Sequence, residues 1–170
     1  KMGRMFSFLS PIKTMNTMPA VAKAFETISL ARVSKSAEEA KSMLVLQGKS
    51  RITMNRLRVL ADAKALALEL AKDYQPPEAP EFYLPGATAR AALNMAVAGV
   101  VKSGKATPHD EVVAKGLARV LSGGDTDITK ALSEQDLLDL EREVFVEMVQ
   151  HPATMARIEH MLETGKPLRN

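Results

Sequence analysis

The feature that most restricts what this chain can fold into is the proline cluster Pro76-Pro77 and Pro80, set between two long stretches of strong helix formers. Proline has no amide hydrogen to donate and pushes the residue before it out of the helical region. No helix can therefore run through this cluster. Residues 74–87 are expected to be a connection, with residues 1–73 on one side and 88–170 on the other.

Both sides carry helical periodicity. After Pro19, the apolar residues Val21, Ala24, Phe25 and Ile28 fall at i, i+3, i+4 and i+7, which is one face of a helix. Ser36-Ala37-Glu38-Glu39 has the form of a capping box and predicts a short helix to about Leu46, ending before Gly48. From Met54 to Asp73 the residues favour a longer helix, with Leu57, Leu60, Ala61, Ala67, Leu68 and Ala71 on one stripe.

Beyond the prolines, Thr88–Ser103 predicts an Ala-rich helix with Ala92, Leu93, Ala96, Val97, Val100 and Val101 inward, stopped by Gly104. Thr107-Pro108-His109-Asp110 supplies a cap, a proline at the first helical position and an acidic residue two further on. The helix it opens, with Val112, Val113, Leu117, Val120 and Leu121 inward, ends at Gly123-Gly124. Ser133-Glu134-Gln135-Asp136 opens another, to about Val149, burying Leu137, Leu138, Val144, Phe145 and Met148. Pro152 opens a last one, which carries Met155, Ile158, Met161 and Leu162 inward and stops at Gly165. No stretch alternates well enough to be a strand, though Arg51-Ile52-Thr53 and Phe82-Tyr83-Leu84 come nearest and would need a partner from outside the chain. The expected fold class is all-α, two small helical units joined by the proline-rich connection.

Composition narrows function mostly by exclusion. An apolar fraction of 46% with 25% charge is globular, and with 4% aromatics, no Trp and 10 Met the core must be built from Ala, Leu, Val and Met. The absence of Cys removes disulfides, Cys-ligated zinc and thiol chemistry, and fits a cytoplasmic setting. The longest apolar runs, such as 96–101, fall far short of the roughly 20 residues a bilayer span needs. Lys1–Leu9 lacks a signal-peptide centre and is expected to follow a cut inside a longer protein. The net charge of +3 is dispersed, and Arg51, Arg56 and Arg58 have no stacking aromatics beside them, so nucleic acid is not an expected partner.

Four local patterns invite a chemical reading, and each has a structural one. Gly99-Val100-Val101-Lys102-Ser103-Gly104-Lys105-Ala106 has the spacing of a phosphate-binding loop, but Ala106 stands where the magnesium-ligating hydroxyl belongs and the segment ends a predicted helix. Ser122-Gly123-Gly124-Asp125 follows a helix, whereas anion sites favour helix starts, so it is expected to be a C-cap. Asp139, Glu143 and Glu147 share a helix face, yet no Glu-x-x-His spacing accompanies them, and a solvated face crossed by salt bridges from Arg142 and neighbouring residues is expected. His109, His151 and His160 lie near no Ser nucleophile in a recognised arrangement and are expected to be structural or exposed. The methionines would suit an adaptable acyl groove but serve equally as core filler. No catalytic, cofactor-binding or metal-ligating residue is therefore assigned.

Several segments together carry a resemblance. Ala31-Arg32-Val33-Ser34-Lys35-Ser36-Ala37-Glu38-Glu39-Ala40, Arg51-Ile52-Thr53-Met54-Asn55-Arg56 and Leu60-Ala61-Asp62-Ala63-Lys64 resemble the closing part of the enoyl-CoA hydratase (crotonase) module of bacterial bifunctional 3-hydroxyacyl-CoA dehydrogenase/enoyl-CoA hydratases. The likeness continues through Leu121-Ser122-Gly123-Gly124, Ser133-Glu134-Gln135, Asp139-Leu140-Glu141-Arg142-Glu143 and Phe145 to His160-Met161-Leu162-Glu163-Thr164-Gly165-Lys166-Pro167-Leu168-Arg169-Asn170, covering most of residues 25–170.

The resemblance implies a C-terminal, non-catalytic piece of a fatty-acid β-oxidation enzyme. NAD and the acyl-CoA substrate would belong to crotonase and dehydrogenase modules upstream, and no cofactor to this piece. Residues 1–73 would hold the terminal helices of a crotonase-like module, which in relatives pack over the CoA site and at subunit contacts, and residues 88–170 a helical tail domain. The alternative is a helical scaffold that docks a partner subunit, a second copy or the thiolase of the same pathway.

Overall fold

A computed structural model describes residues 17–170. The chain is mainly α-helical: seven helices and one two-stranded sheet among the described residues, in the order α1 (Met18–Ser29), α2 (Ala37–Ser42), α3 (Val59–Leu70), β1 (Glu81–Tyr83), α4 (Gly86–Lys102), α5 (Pro108–Ser122), β2 (Ala131–Ser133), α6 (Glu134–Val149) and α7 (Pro152–Thr164). They divide into two compact units. The larger holds residues 17–32 and 80–170, and the smaller holds residues 33–79.

The larger unit is built on α4, α5 and α6, with α1 laid against α5. Its core comprises Val21 and Phe25 from α1, Phe82 and Leu84 from β1 and its exit, Leu93 and Val97 from α4, Ala118, Val120 and Leu121 from α5, Leu132 from β2, and Leu137 and Val144 from α6. Leu84 and Leu121 are 0% and 1% exposed. Each such side chain stabilises the fold by about 1.5–3 kcal/mol of apolar transfer.

Local chemistry sets the helix ends. At Thr107 and Ser133 the cap hydroxyl accepts from the amide of Asp110 and Asp136 respectively, and each aspartate carboxylate accepts from the cap amide, closing a capping box. Gly123 ends α5 in the left-handed region at φ +85, where a Cβ would also lie 2.9 Å from that of Leu84.

The sheet is the first departure from expectation. Phe82 does pair, but with Leu132 of this same chain, in an antiparallel ladder matching Glu81 with Ser133 and Tyr83 with Ala131. Arg51-Ile52-Thr53 forms no strand. The turn that follows β1 depends on Gly86 at φ +62, where a Cβ would fall 1.7 Å from the Thr126 carbonyl oxygen.

Two other expectations need correction. The sequence places the first helix with residues 33–73, whereas the chain leaves the larger unit after Arg32 and returns at Pro80. A periodic apolar face specifies that it is covered, not which element covers it. The inward faces are also narrower than expected: on α4 Ala89, Leu93 and Val97 are buried but Ala92, Ala96 and Val100 are exposed, as are Val113 on α5, Leu138 and Phe145 on α6, and Met155, Met161 and Leu162 on α7.

The smaller unit has little core. Ser36 caps α2 by accepting from the Glu39 amide at 3.1 Å, and the Glu39 carboxylate accepts from the Lys35 amide at 2.6 Å, one residue earlier than the box predicted. The helix ends at Ser42 instead of near Leu46. Asn55 caps a 3-10 turn at Arg56–Arg58 that leads into α3. Arg51 donates to both carboxylate oxygens of Glu69 at 2.8 and 2.9 Å, and Thr53 donates to Asp62 at 3.0 Å. Ala40 is its one buried apolar residue. The apolar stripe read between Met54 and Asp73 is exposed, with Leu57 at 93% and Leu60 at 81%.

Candidate functional site

The most connected polar arrangement lies where α5 begins and α7 passes it. The capping box fixes Thr107 and Asp110, and between them the first turn of α5 directs His109 inward, 7% exposed. Its Nε2 lies 3.0 Å from Thr154 Oγ1 on α7. One turn further along α7, Arg157 reaches Asp110 at 2.8 Å and donates to Thr107 Oγ1 at 3.2 Å. The same guanidinium holds the segment after α7: it donates to Asn170 Oδ1 at 2.7 Å and to the Asn170 main-chain oxygen at 3.2 Å. Asn170 Nδ2 in turn donates to the Ala153 carbonyl at 3.0 Å. His151, exposed in the turn before α7, places its ring centroid 6.2 Å from that of His109.

The electrostatics follow from that packing. Burial pushes the His109 imidazole below its ordinary value, and the Arg157 and His151 charges add to this against the opposing pull of Asp110. Burial alone would raise the Asp110 carboxyl. The Thr107 amide, Arg157 and the Thr107 hydroxyl together outweigh it and leave the carboxyl below its usual range. The cluster therefore favours a neutral imidazole beside a closed guanidinium–carboxylate pair. It ties three segments together, which matters for α7 because that helix buries no residue fully.

The other sequence patterns take structural roles. The loop-like stretch from Gly99 to Ala106 forms the last turn of α4 and its exit, with Gly104 at φ +70. Ser122-Gly123-Gly124 is a C-cap in which the Gly124 amide donates to the Arg119 carbonyl at 2.9 Å. Glu143 and Glu147 both receive Arg119 across the α5–α6 contact, at 2.6 and 3.0 Å, and Asp139 pairs with Arg142 at 3.1 Å. The Glu143 and Glu147 bonds raise the Arg119 guanidinium further above its already high value. An open depression of about 630 Å³ runs beside these carboxylates, lined wholly by α6 residues, so it is a helix flank and not an enclosed site. His160 has no place in the α5–α7 cluster. Among the described residues, no three His, Asp or Glu side chains converge as metal ligands, and no helix is long and apolar enough to cross a membrane.

Sequence reasoning weighed His109 and His151 separately and missed that α7 brings them together. Only Thr107 and Asp110 of this cluster announced themselves, through the cap. Arg157 and Asn170 carry no local signal, since their partners lie far away in the chain.

The chain is similar to one curated protein along most of its length. Over 154 residues, 90% of this chain, it is 40% identical to a protein of Bacillus subtilis (strain 168) described as a probable 3-hydroxyacyl-CoA dehydrogenase, and it spans 20% of that relative's length. No family model matches the chain, and no solved structure matches it.

Proposed function

We propose that these residues are a non-catalytic region of a larger fatty-acid β-oxidation enzyme that oxidises 3-hydroxyacyl-CoA with NAD and hydrates 2-enoyl-CoA. The observation that carries this reading is the 40% identity over 154 residues to a probable 3-hydroxyacyl-CoA dehydrogenase about five times longer than the matched stretch.

The residues described do not suit NAD. Its usual seat is a parallel βαβ unit with a glycine-rich turn at a helix start, whereas β1 and β2 are antiparallel and Gly104 lies beyond a helix end. On this reading oxidation and hydration belong to crotonase and dehydrogenase modules elsewhere in the polypeptide. The work of residues 33–79 is to pack against them. An exposed apolar stripe of the α3 kind is characteristic of an interface. That stripe equally favours a second reading, a scaffold docking a partner subunit such as a thiolase or another copy.

The test is an assay of the whole polypeptide that contains these residues, with 3-hydroxyacyl-CoA plus NAD and separately with 2-enoyl-CoA. Turnover by the whole polypeptide and none by residues 1–170 above a heat-treated control is the expected result. Turnover by residues 1–170 alone overturns the non-catalytic assignment, and none by the whole polypeptide overturns the enzymatic one. Failure of residues 1–170 to bind a thiolase or a second copy would remove the scaffold reading, and binding unchanged after apolar α3 residues are replaced would remove α3 as its docking face.

A further inference from the structure

Helix α3 is apolar over far more of its circumference than contact with one surface needs. With about 100° between successive residues, Leu66, Val59 and Leu70 follow one another round one side of α3, and Leu60, Leu68 and Ala61 round the other. From Leu66 to Ala61 the arc spans about 220°, roughly twice the width of the stripe by which a helix seats on a single surface. Leu70 is 62% exposed on the first side and Leu68 61% on the second, so neither side is closed within the unit. We infer that α3 is built to lie between two surfaces, both supplied by the same polypeptide outside residues 1–170. This rests on the reading of residues 33–79 as packing against other modules, and adds that the helix is gripped from both sides.

The charges of α3 agree with that placement. Asp62 and Glu69 stand together on the remaining arc, about 20° apart round the helix. Residues of the same unit already answer both. Asp62 accepts from Thr53 at 3.0 Å and pairs with Arg58 at 3.5 Å, while Glu69 takes both Arg51 bonds at 2.8 and 2.9 Å. Covering the apolar arc therefore takes no unpaired carboxylate out of water. Lys64 is the one charge within the arc. Its long stem can lie along apolar surface while the ammonium reaches the edge.

The occupant follows from how two sides can be covered at once. A partner subunit or second copy docking by one patch covers one side and leaves the other in water. The chain spans 20% of the matched relative's length, so on the same reading the polypeptide holds enough further chain to flank both sides. Modules joined to α3 by one backbone also meet it at high effective concentration, without a bimolecular encounter.

The test is maleimide labelling of single cysteines, since residues 1–170 contain none. Leu68→Cys and Leu70→Cys sit about 160° apart round the helix and start from nearly equal exposure. Each is placed in the 170-residue chain and in the purified whole polypeptide, with labelling of the unsubstituted polypeptide subtracted. Both should label freely in the 170-residue chain and at least ~10-fold more slowly in the native whole polypeptide at every dilution, with urea restoring both. Should either variant fail to fold in the whole polypeptide, Ala61→Cys and Ala63→Cys probe the same two sides. Protection of one side only overturns the two-sided grip and leaves the packing reading standing. Protection of neither overturns both. Protection that fades on dilution belongs to a second copy and overturns the choice of occupant.

Discussion

The two units of this chain differ in what their apolar faces meet. In the larger unit, helices α1, α4, α5 and α6 surround a core to which the β1–β2 ladder adds Phe82 and Leu132. In the smaller unit, α3 is richer still in leucine and alanine, yet no α3 residue is buried. Amphipathic composition is common to both. The larger unit adds elements returning from elsewhere in the chain to close over the stripe, whereas residues 33–79 offer α3 only a short α2 and polar ties such as Arg51–Glu69. Exposed pairs of that kind contribute at most about 1 kcal/mol. One unit thus buries its apolar faces within itself, and the other leaves its α3 stripe exposed.

Substitutions should expose this asymmetry. Gly86→Ala is expected to cost the most. It places a methyl group on the Thr126 carbonyl and strains a φ of +62, so a loss of at least ~3 kcal/mol should appear in denaturant unfolding of the larger unit. Leu121→Ala should destabilise the same transition by about 2–5 kcal/mol, since it empties a fully buried site. Thr107→Ala removes the α5 cap and one Arg157 partner, and about 1 kcal/mol should be lost in the same measurement.

Acid should act on the larger unit through His109. Its folded-state value lies below the ordinary 6.5, so the unfolded chain binds the proton more readily. Stability is complete above about pH 6.5 and is lost as pH falls from there through the depressed value. The depressed Asp110 carboxyl adds a separate loss only below 3.8. Urea midpoints collected between pH 7.5 and 5 should fall for the wild type and stay flat for His109→Gln. At the small end of the scale, Leu60→Ala on α3 should change stability by no more than ~0.5 kcal/mol, because its side chain is already in water. A loss comparable to that of Leu121→Ala would make α3 part of a core.

What was legible in the sequence was local. Thr107 and Ser133 marked helix starts, and Gly104, Gly123 and Gly165 marked stops, because capping and left-handed geometry involve residues a few positions apart. The Asp139, Glu143 and Glu147 row was legible as a salt-bridged surface for the same reason, although Arg119 as the cation across the helix contact was not. Non-local pairings escaped: Phe82 with Leu132, α1 with α5, and Arg157 with Asp110 and Asn170. None leaves a spacing in the sequence, since each depends on how elements far apart in the chain meet. The α3 stripe shows the limit from the other side. Its period was read correctly as an apolar face, but period alone cannot say whether the cover lies within the same unit.

Amide hydrogen exchange on the 170-residue chain as a monomer tests the contrast most directly, comparing α5 with α3. The α5 amides around Ala118–Leu121 are expected to exchange only by global unfolding of the larger unit, while the α3 amides open locally and exchange orders of magnitude faster. Protection of α3 equal to that of α5 in the monomer would contradict it, because residues 33–79 would then hold their helix without an outside surface.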